Sequence, residues 1–144
     1  MKKDIWVLIV AMVIWGISNG CTGPQKTVVE EGLTPKVVAS PAVIKLDKKA
    51  TVTFLATGLP PGQEFNVITV TADGIKTDIT SSLDPDPIAN DQGAWISVWK
   101  DCGRFISRKL IKEGVYTITV TDGEYNPLAH VPVAFYSEKA KKKK

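Results

Sequence analysis

Short runs of alternating apolar and polar residues fill most of the chain after residue 40. Val52, Phe54 and Ala56 share one side of their run, and Tyr116, Ile118 and Val120 alternate with threonines. A period of two is the pattern of a strand with one buried face. The runs predict strands at Ala42–Leu46, Thr51–Thr57, Glu64–Ala72, Ile75–Leu83, Ala94–Lys100, Gly114–Thr121 and Ala129–Tyr136. No amphipathic helix of useful length is predicted.

Turn residues separate these runs at short intervals. They occur as "GLPPG" at 58–62, Asp73 with Gly74, "NDQGAW" at 90–95 and "TDGEYNP" at 121–127. Proline has no N–H for a sheet ladder, and Asp-Gly between two alternating runs is a strong hairpin signal. The pattern predicts an all-β fold, an antiparallel sandwich of about seven strands whose two facing sheets form the core.

The turn motifs also resemble a known family. The order "TGLPPGQEFNV", "NDQGAW" and "KEGVYTITVTD" is similar to the plan of immunoglobulin-like domains on bacterial and archaeal surface proteins. The resemblance covers about residues 41–136 and implies an immunoglobulin-like β-sandwich. It implies a tyrosine corner at Tyr116, in which the hydroxyl bonds back to the main chain. These motifs are turn and core signatures and say little about activity.

The most apolar segment lies near the N-terminus. Lys2 and Lys3 precede the 13-residue run "IWVLIVAMVIWGI" at 5–17, and Ser18, Asn19 and Gly20 follow it. As a helix this run would be about 20 Å long, which is short of the roughly 30 Å of hydrocarbon in a bilayer. A basic start, an apolar middle and a small-residue end are typical of a secretory signal peptide.

The cysteine after this segment refines the prediction. Gly20 and Cys21 resemble the lipobox of bacterial lipoproteins, in which signal peptidase II cuts before a cysteine that carries thioether-linked diacylglycerol. The resemblance implies that a lipid on Cys21 holds the chain on a membrane. An uncleaved N-terminal anchor helix and ordinary secretion remain as alternatives. All three place the rest of the chain outside the cytoplasm.

Four regions follow from these patterns. Residues 1–20 are predicted as a lipoprotein-type signal peptide or membrane anchor, 21–40 as a tether, 41–137 as the sandwich and 138–144 as a disordered basic tail. The tether contains scattered Gly and Pro and no sustained period. In an alternative reading, "KVVAS" at 36–40 already belongs to the first strand.

The net charge of +3 comes from the ends of the chain. Between Thr22 and Glu138 there are 11 Lys and Arg against 14 Asp and Glu, so this part is mildly acidic. A nucleic-acid-binding domain normally carries its positive charge on a folded face, and nucleic acid is therefore not an expected partner. Arg104, Arg108, Lys109 and Lys112 crowd a short segment, but such a run is usually just solvated. The tail is expected to aid solubility or to meet an anionic lipid surface.

Two tryptophans form the first candidate site. Trp95 and Trp99 lie four apart on one predicted strand and therefore point the same way. On an exposed face they would make a ligand platform for a sugar ring or a partner protein. Because tryptophan is costly to expose to water, the alternative that both face the core is favoured.

An acidic loop forms the second candidate. Asp84, Asp86, Asn90 and Asp91 in "DPDPIANDQG" supply oxygen ligands of the kind that calcium prefers. Asp, Asn, Pro and Gly are also the residues that turns need for conformational reasons, which is the favoured interpretation. Apart from this loop, no metal site is indicated.

No catalytic motif stands out, so the protein is not expected to be an enzyme. Cys102 and the single histidine, His130, could form a nucleophile and base only if the fold brought them together. Cys102 is expected to be partly buried or, if Cys21 carries no lipid, to be its disulfide partner. No cofactor is expected beyond the diacylglycerol-type lipid on Cys21.

Together these observations predict a membrane-anchored extracytoplasmic lipoprotein. Its immunoglobulin-like domain would act as a non-catalytic adhesion, binding or accessory module of the cell envelope, with an envelope protein or polysaccharide as partner. The alternative is a self-associating surface-layer or filament subunit, in which an exposed sheet edge pairs with the next copy.

Overall fold

The alternating runs form nine strands in the computed structural model, which describes residues 33–138. The strands are β1 Lys36–Ser40, β2 Val43–Lys45, β3 Val52–Thr57, β4 Asn66–Val70, β5 Lys76–Asp78, β6 Leu83–Asp84, β7 Trp95–Trp99, β8 Gly114–Thr121 and β9 Pro127–Tyr136. The described helices are a 3₁₀ turn at Thr80–Ser82 and α1 at Cys102–Ser107. The predicted all-β class is confirmed, and the predicted N-terminal helix lies outside the described residues.

The strands make two sheets with the orders β1-β3-β7-β6 and β2-β9-β8-β4-β5. Every pairing is antiparallel except that of β2 with β9, which is parallel. β1 and β2 follow each other in the chain but pair in different sheets. β1 is therefore an edge strand of the four-stranded sheet, and β2 is an edge strand of the five-stranded sheet.

The core lies between the sheets and follows the predicted alternation. Val52, Phe54 and Ala56 of β3 are buried, and Ile118 and Val120 of β8 are buried on the facing sheet. Each fully buried side chain of this size stabilises the fold by about 1.5–3 kcal/mol of transfer free energy. The predicted faces of β3 and β8 are therefore those that pack inward.

Two predicted boundaries are wrong. The tether was predicted to reach residue 40, but β1 pairs with β3 from Lys36 to Ser40, so "KVVAS" belongs to the first strand. The predicted strand Ile75–Leu83 is instead β5, the 3₁₀ turn and β6. Ile79 is fully buried, and its N–H donates to Val67 O at 2.8 Å before the chain crosses from the five-stranded to the four-stranded sheet. Alternation alone does not reveal such a crossing.

The loops gather at two ends of the sandwich. The chain enters at Leu33, and the loops 58–65 and 85–94 meet there through a hydrogen bond from Leu59 N–H to Gly93 O at 3.0 Å. The turn 122–126 is beside them, because the Asn66 side chain donates to Asp122 O at 3.1 Å. We call residues 33–35 with these two loops and this turn the entry end.

The other end contains the turns 46–51 and 71–75, α1, and the loop 108–113. Gly103 N–H donates to Ala50 O at 3.0 Å, and Ala72 N–H donates to Leu110 O at 2.7 Å, which ties α1 and the loop after it to the two turns. β9 also ends here, and Glu138 is the last described residue. We call these segments the far end. Within residues 33–138, no helix is long and apolar enough to cross a membrane.

Candidate functional site

The two predicted site tryptophans are core residues. Trp95 is 4% exposed and Trp99 is fully buried. The ring of Trp99 packs edge to face on Phe105 of α1, with ring centroids 5.2 Å apart. The surface platform is therefore wrong, because the inward face of β7 carries both rings while Ile96 between them in the chain points to solvent. Both indole N–H groups are buried, and neither has a hydrogen-bond partner among residues 33–138.

The predicted calcium ligands are not gathered into one site. The carboxylate of Asp84 pairs with Lys100, and the side-chain oxygen of Asn90 accepts hydrogen bonds from the N–H groups of Gln92 and Ala94. Among the described residues, no group of three or more acidic, histidine or cysteine side chains could hold a metal ion. The calcium hypothesis is therefore wrong for this loop, in which Asn90 instead closes the turn.

A shallow groove lies beside this loop and includes Asp86, one of the four predicted calcium ligands. It has a volume of about 340 Å³ and is lined by Glu64, Asp78, Thr80, Ser81, Asp86 and Pro87. Asp78 accepts the N–H of Thr80 at 2.8 Å, and Thr80 accepts the N–H of Val67 at 2.8 Å. These hydrogen bonds fix the backbone where the chain crosses from one sheet to the other. The polar side chains of the groove therefore have a structural role.

Cys102 and His130 lie far apart in the fold. Cys102 is fully buried at the start of α1, and burial raises the pKa of its thiol to about 12. His130 is exposed on the outer side of β9, where its ring lies 3.0 Å from the Thr119 hydroxyl. The two residues cannot act as a nucleophile and a base together. Cys21, the predicted lipid carrier, lies outside the described residues.

Charged side chains are separated between the two ends of the sandwich. Apart from Glu138, which is paired with Lys45, the far end carries six cationic residues against the four carboxylates of Asp47, Asp73, Asp101 and Glu113. The six cationic residues are all exposed, and they are Lys48, Lys49, Arg104, Arg108, Lys109 and Lys112. We call this set the basic cluster.

The entry end has the opposite charge. Its loops carry Glu64, Asp86, Asp91, Asp122 and Glu124, and the only nearby cation of the described part is Lys36 at the start of β1. Of the charges along the strands, Lys45 pairs with Glu138 and Lys100 pairs with Asp84. No member of the basic cluster forms a salt bridge with another residue of the described part.

The backbone fixes the position of the basic cluster. Gly103 packs so closely on the turn 46–51 that a Cβ atom added there would overlap the carbonyl oxygen of Lys48. Arg104 lies on α1, and Arg108 is the C-cap residue of α1, whose N–H donates to Arg104 O at 3.0 Å. On the other side of the cluster, the Lys112 N–H donates to the Tyr116 hydroxyl at 2.9 Å.

Lys109 has a backbone conformation that usually belongs to glycine. It follows the C-cap of α1 with a φ of 61°. Its N–H donates to Ile106 O at 2.9 Å, and the next N–H, that of Leu110, donates to Phe105 O at 2.9 Å. This is a Schellman motif with lysine at the position where glycine is favoured. A left-handed conformation costs a non-glycine residue about 1–2 kcal/mol.

The sequence contains the members of the basic cluster but does not reveal the cluster. Arg104, Arg108, Lys109 and Lys112 were expected to be merely solvated. Lys48 and Lys49 are distant in sequence and join them only because α1 packs on the turn 46–51. The one local sign of an unusual position is that lysine, and not glycine, follows the C-cap of α1.

Comparisons with known proteins give no family. No protein-family model matches the chain, and no curated protein matches it. Among solved structures, macromomycin is similar at 20% identity with a TM-score of 0.47, over 71% of this chain and 99% of macromomycin. A Niemann-Pick type C2 protein from Japanese carpenter ant is similar at 11% identity with a TM-score of 0.41, over 73% and 93% of the two chains. Likenesses this distant carry no argument about fold family or function.

Proposed function

We propose that the chain is an extracytoplasmic protein held on a membrane through a lipid on Cys21. Its immunoglobulin-like sandwich serves as a non-catalytic binding or accessory module of the cell envelope. The observation that carries this proposal is the separation of charge. The chain enters the sandwich at the acidic end, and an exposed basic cluster lies at the opposite end.

The strand order supports an immunoglobulin-like assignment. In such domains, strands A, B, E and D form one sheet and strands G, F and C the other, with C′ added beside C. The orders β1-β3-β7-β6 and β9-β8-β4-β5 follow this plan, and β2 extends the second sheet beside β9. The Tyr116 hydroxyl accepts a hydrogen bond from the Lys112 N–H at the start of β8, which supports the proposed tyrosine corner.

The N-terminal sequence supports the attachment. A basic start, a short apolar run and Gly20 before Cys21 fit a lipoprotein signal peptide. Residues 22–32 separate Cys21 from the first described residue. Eleven residues span at most about 35 to 40 Å when extended, which is enough to hold the entry end off the headgroups. Diacylglycerol on this cysteine would add two acyl chains, as stable anchoring requires.

Mass analysis of the protein from its native membrane tests the attachment. We expect a mature chain that begins at Cys21 and carries a diacylglycerol-type lipid. The Cys21→Ser variant should lose the lipid and keep residues 1–20, whereas the control Cys102→Ser should be processed normally. A soluble full-length chain with Met1 and an unmodified Cys21 would refute the proposal.

A second candidate is a self-assembling surface subunit. The observation that favours it is β1, a five-residue edge strand that pairs only with β3 among the described strands. An unpaired edge is a template for another strand. Sedimentation should then show oligomers that grow with concentration and that Val38→Lys on β1 disrupts, whereas Val115→Lys on β8 should not. A chain that stays monomeric at high concentration excludes this candidate.

A further inference from the structure

We propose that the basic cluster at the far end binds a linear polyanion that carries repeated phosphate or carboxylate groups, and that Lys109 is a main contact. The location of this ligand, outside the cytoplasm, rests on the proposed attachment through Cys21. The binding itself rests only on the described far end.

The arrangement of the cations fits a polymer better than a small anion. The cluster spreads over α1, the loop after it and the turn 46–51. Its side chains are exposed and form no salt bridge within the described part. Arginine and lysine pair with phosphate and carboxylate oxygens, and arginine does so with two parallel hydrogen bonds. A row of separated cations matches a ligand whose charges repeat along a chain.

Lys109 provides an independent observation. Its left-handed backbone would be relieved by glycine, yet a long cationic side chain occupies the position. Strain of this kind often lies at functional positions, where a side chain is held in a particular direction. The two hydrogen bonds of the Schellman motif fix this backbone, so Lys109 projects from a rigid turn rather than from a mobile loop.

The end of the chain extends the same charge. β9 finishes at the far end, where Leu46 N–H donates to Tyr136 O at 2.9 Å. After Glu138 the sequence adds six residues, of which five are lysines. Removal of these residues is therefore a separate arm of the test below.

Two other anionic partners fit less well. The described part begins at the entry end, and that end is acidic, so an anionic membrane surface would repel it. A second copy could offer its acidic end, but that surface includes the point where the chain enters. The Asp122 carboxylate there already accepts hydrogen bonds from Asn126 and from the N–H of Glu124. A free polymer meets neither obstacle.

The test uses the full chain in detergent with three probes, namely long-chain polyphosphate, polygalacturonate and glycerol phosphate, which carries the charge of a phospholipid headgroup without acyl chains. We expect one or both polymers to bind more tightly than glycerol phosphate, and the stronger polymer identifies phosphate or carboxylate as the ligand group. Binding should weaken as salt increases. Because a cation near an anionic surface contributes on the order of fivefold in affinity, Lys109→Gln should weaken binding by about that factor. The control Lys36→Gln, which removes one charge at the entry end, should not.

A pair of glycine variants separates binding from folding. Lys109→Gly should melt at or above the temperature of the wild type and still bind the polymer about fivefold more weakly. Tyr125→Gly is the matched control, because Tyr125 has a φ of 65° at the entry end and should change stability without changing binding.

Several outcomes would overturn the inference. They are an unchanged affinity of the Lys109 variants, complete loss of binding on removal of residues 139–144 alone, binding of glycerol phosphate as tight as that of the polymers, and self-association without polymer binding. None of them depends on whether Cys21 is lipidated, so failure here is distinct from failure of the proposed attachment.

Discussion

Gly103 lies directly against the backbone of Lys48, so closely that a side chain at this position would overlap the Lys48 carbonyl oxygen. The Gly103 N–H donates to Ala50 O at 3.0 Å in the same contact. Through this contact α1 is fixed to the turn 46–51, and both parts of the basic cluster are held together.

Gly103→Ala should therefore destabilise the protein and disturb the far end. The clash is with backbone, which moves less easily than a side chain, so we expect a loss of about 1–3 kcal/mol in the free energy of unfolding. Denaturant unfolding measures this loss. Gly123→Ala is the control, because an added Cβ there meets no atom within 4 Å. Equal stability of the two variants would contradict the contact.

Tyr116→Phe should remove the hydrogen bond between the Tyr116 hydroxyl and the Lys112 N–H. A hydrogen bond of this kind contributes about 0.5–1.5 kcal/mol to stability. The ring should remain packed edge to face on Phe135, with centroids 5.5 Å apart, so the loss should not exceed this range. Tyr136→Phe, on the exposed end of β9, serves as the control. A Tyr116→Phe variant as stable as the wild type would show that this hydrogen bond does not contribute to stability.

Cys102 should resist thiol reagents in the folded protein. Burial raises its pKa to about 12, so at pH 8 roughly one molecule in ten thousand would carry the reactive thiolate. In a Cys21→Ser background, a colorimetric thiol reagent should detect no thiol in the native protein and one after unfolding in denaturant. Rapid labelling without denaturant would mean that α1 opens readily or that the cysteine is exposed.

Asp122 should make stability depend on acid pH. Its carboxylate accepts hydrogen bonds from the side chain and the N–H of Asn126 and from the N–H of Glu124, which lower its pKa. A lowered pKa in the folded state stabilises the protein above the unfolded pKa of about 4, and this contribution is lost as pH falls through the folded value. Asp122→Asn should be less stable than the wild type at neutral pH, and the difference should shrink below about pH 4.

Thermal unfolding between pH 2 and pH 7 measures this dependence. Asp91→Asn removes another carboxylate of the entry end without removing these hydrogen bonds, and it should keep the acid dependence of the wild type. A constant difference between Asp122→Asn and the wild type across this range would refute the assignment.

Several elements were predictable because their signals are local. The alternation in β3, β7 and β8 marks both the strands and their buried faces, and the cost of exposing indole rings correctly favoured a core position for Trp95 and Trp99. The sequence does not decide whether residues 36–40 form a strand, because five residues after a Gly- and Pro-containing segment are too few to show a clear alternation. The crossing at Ile79 was missed because burial of that residue depends on two sheets that are remote in sequence.

The sequence by itself determined the β-rich class and the buried faces of the main strands, because each depends on a short periodic run. The tertiary structure decided the sheet order, the packing of α1 on the turn 46–51 and the separation of an acidic entry end from a basic far end. Charges at residues 48 and 109 become neighbours only when the strands between them fold back. Electrostatic surfaces depend on distances in space, which the linear order of residues does not contain.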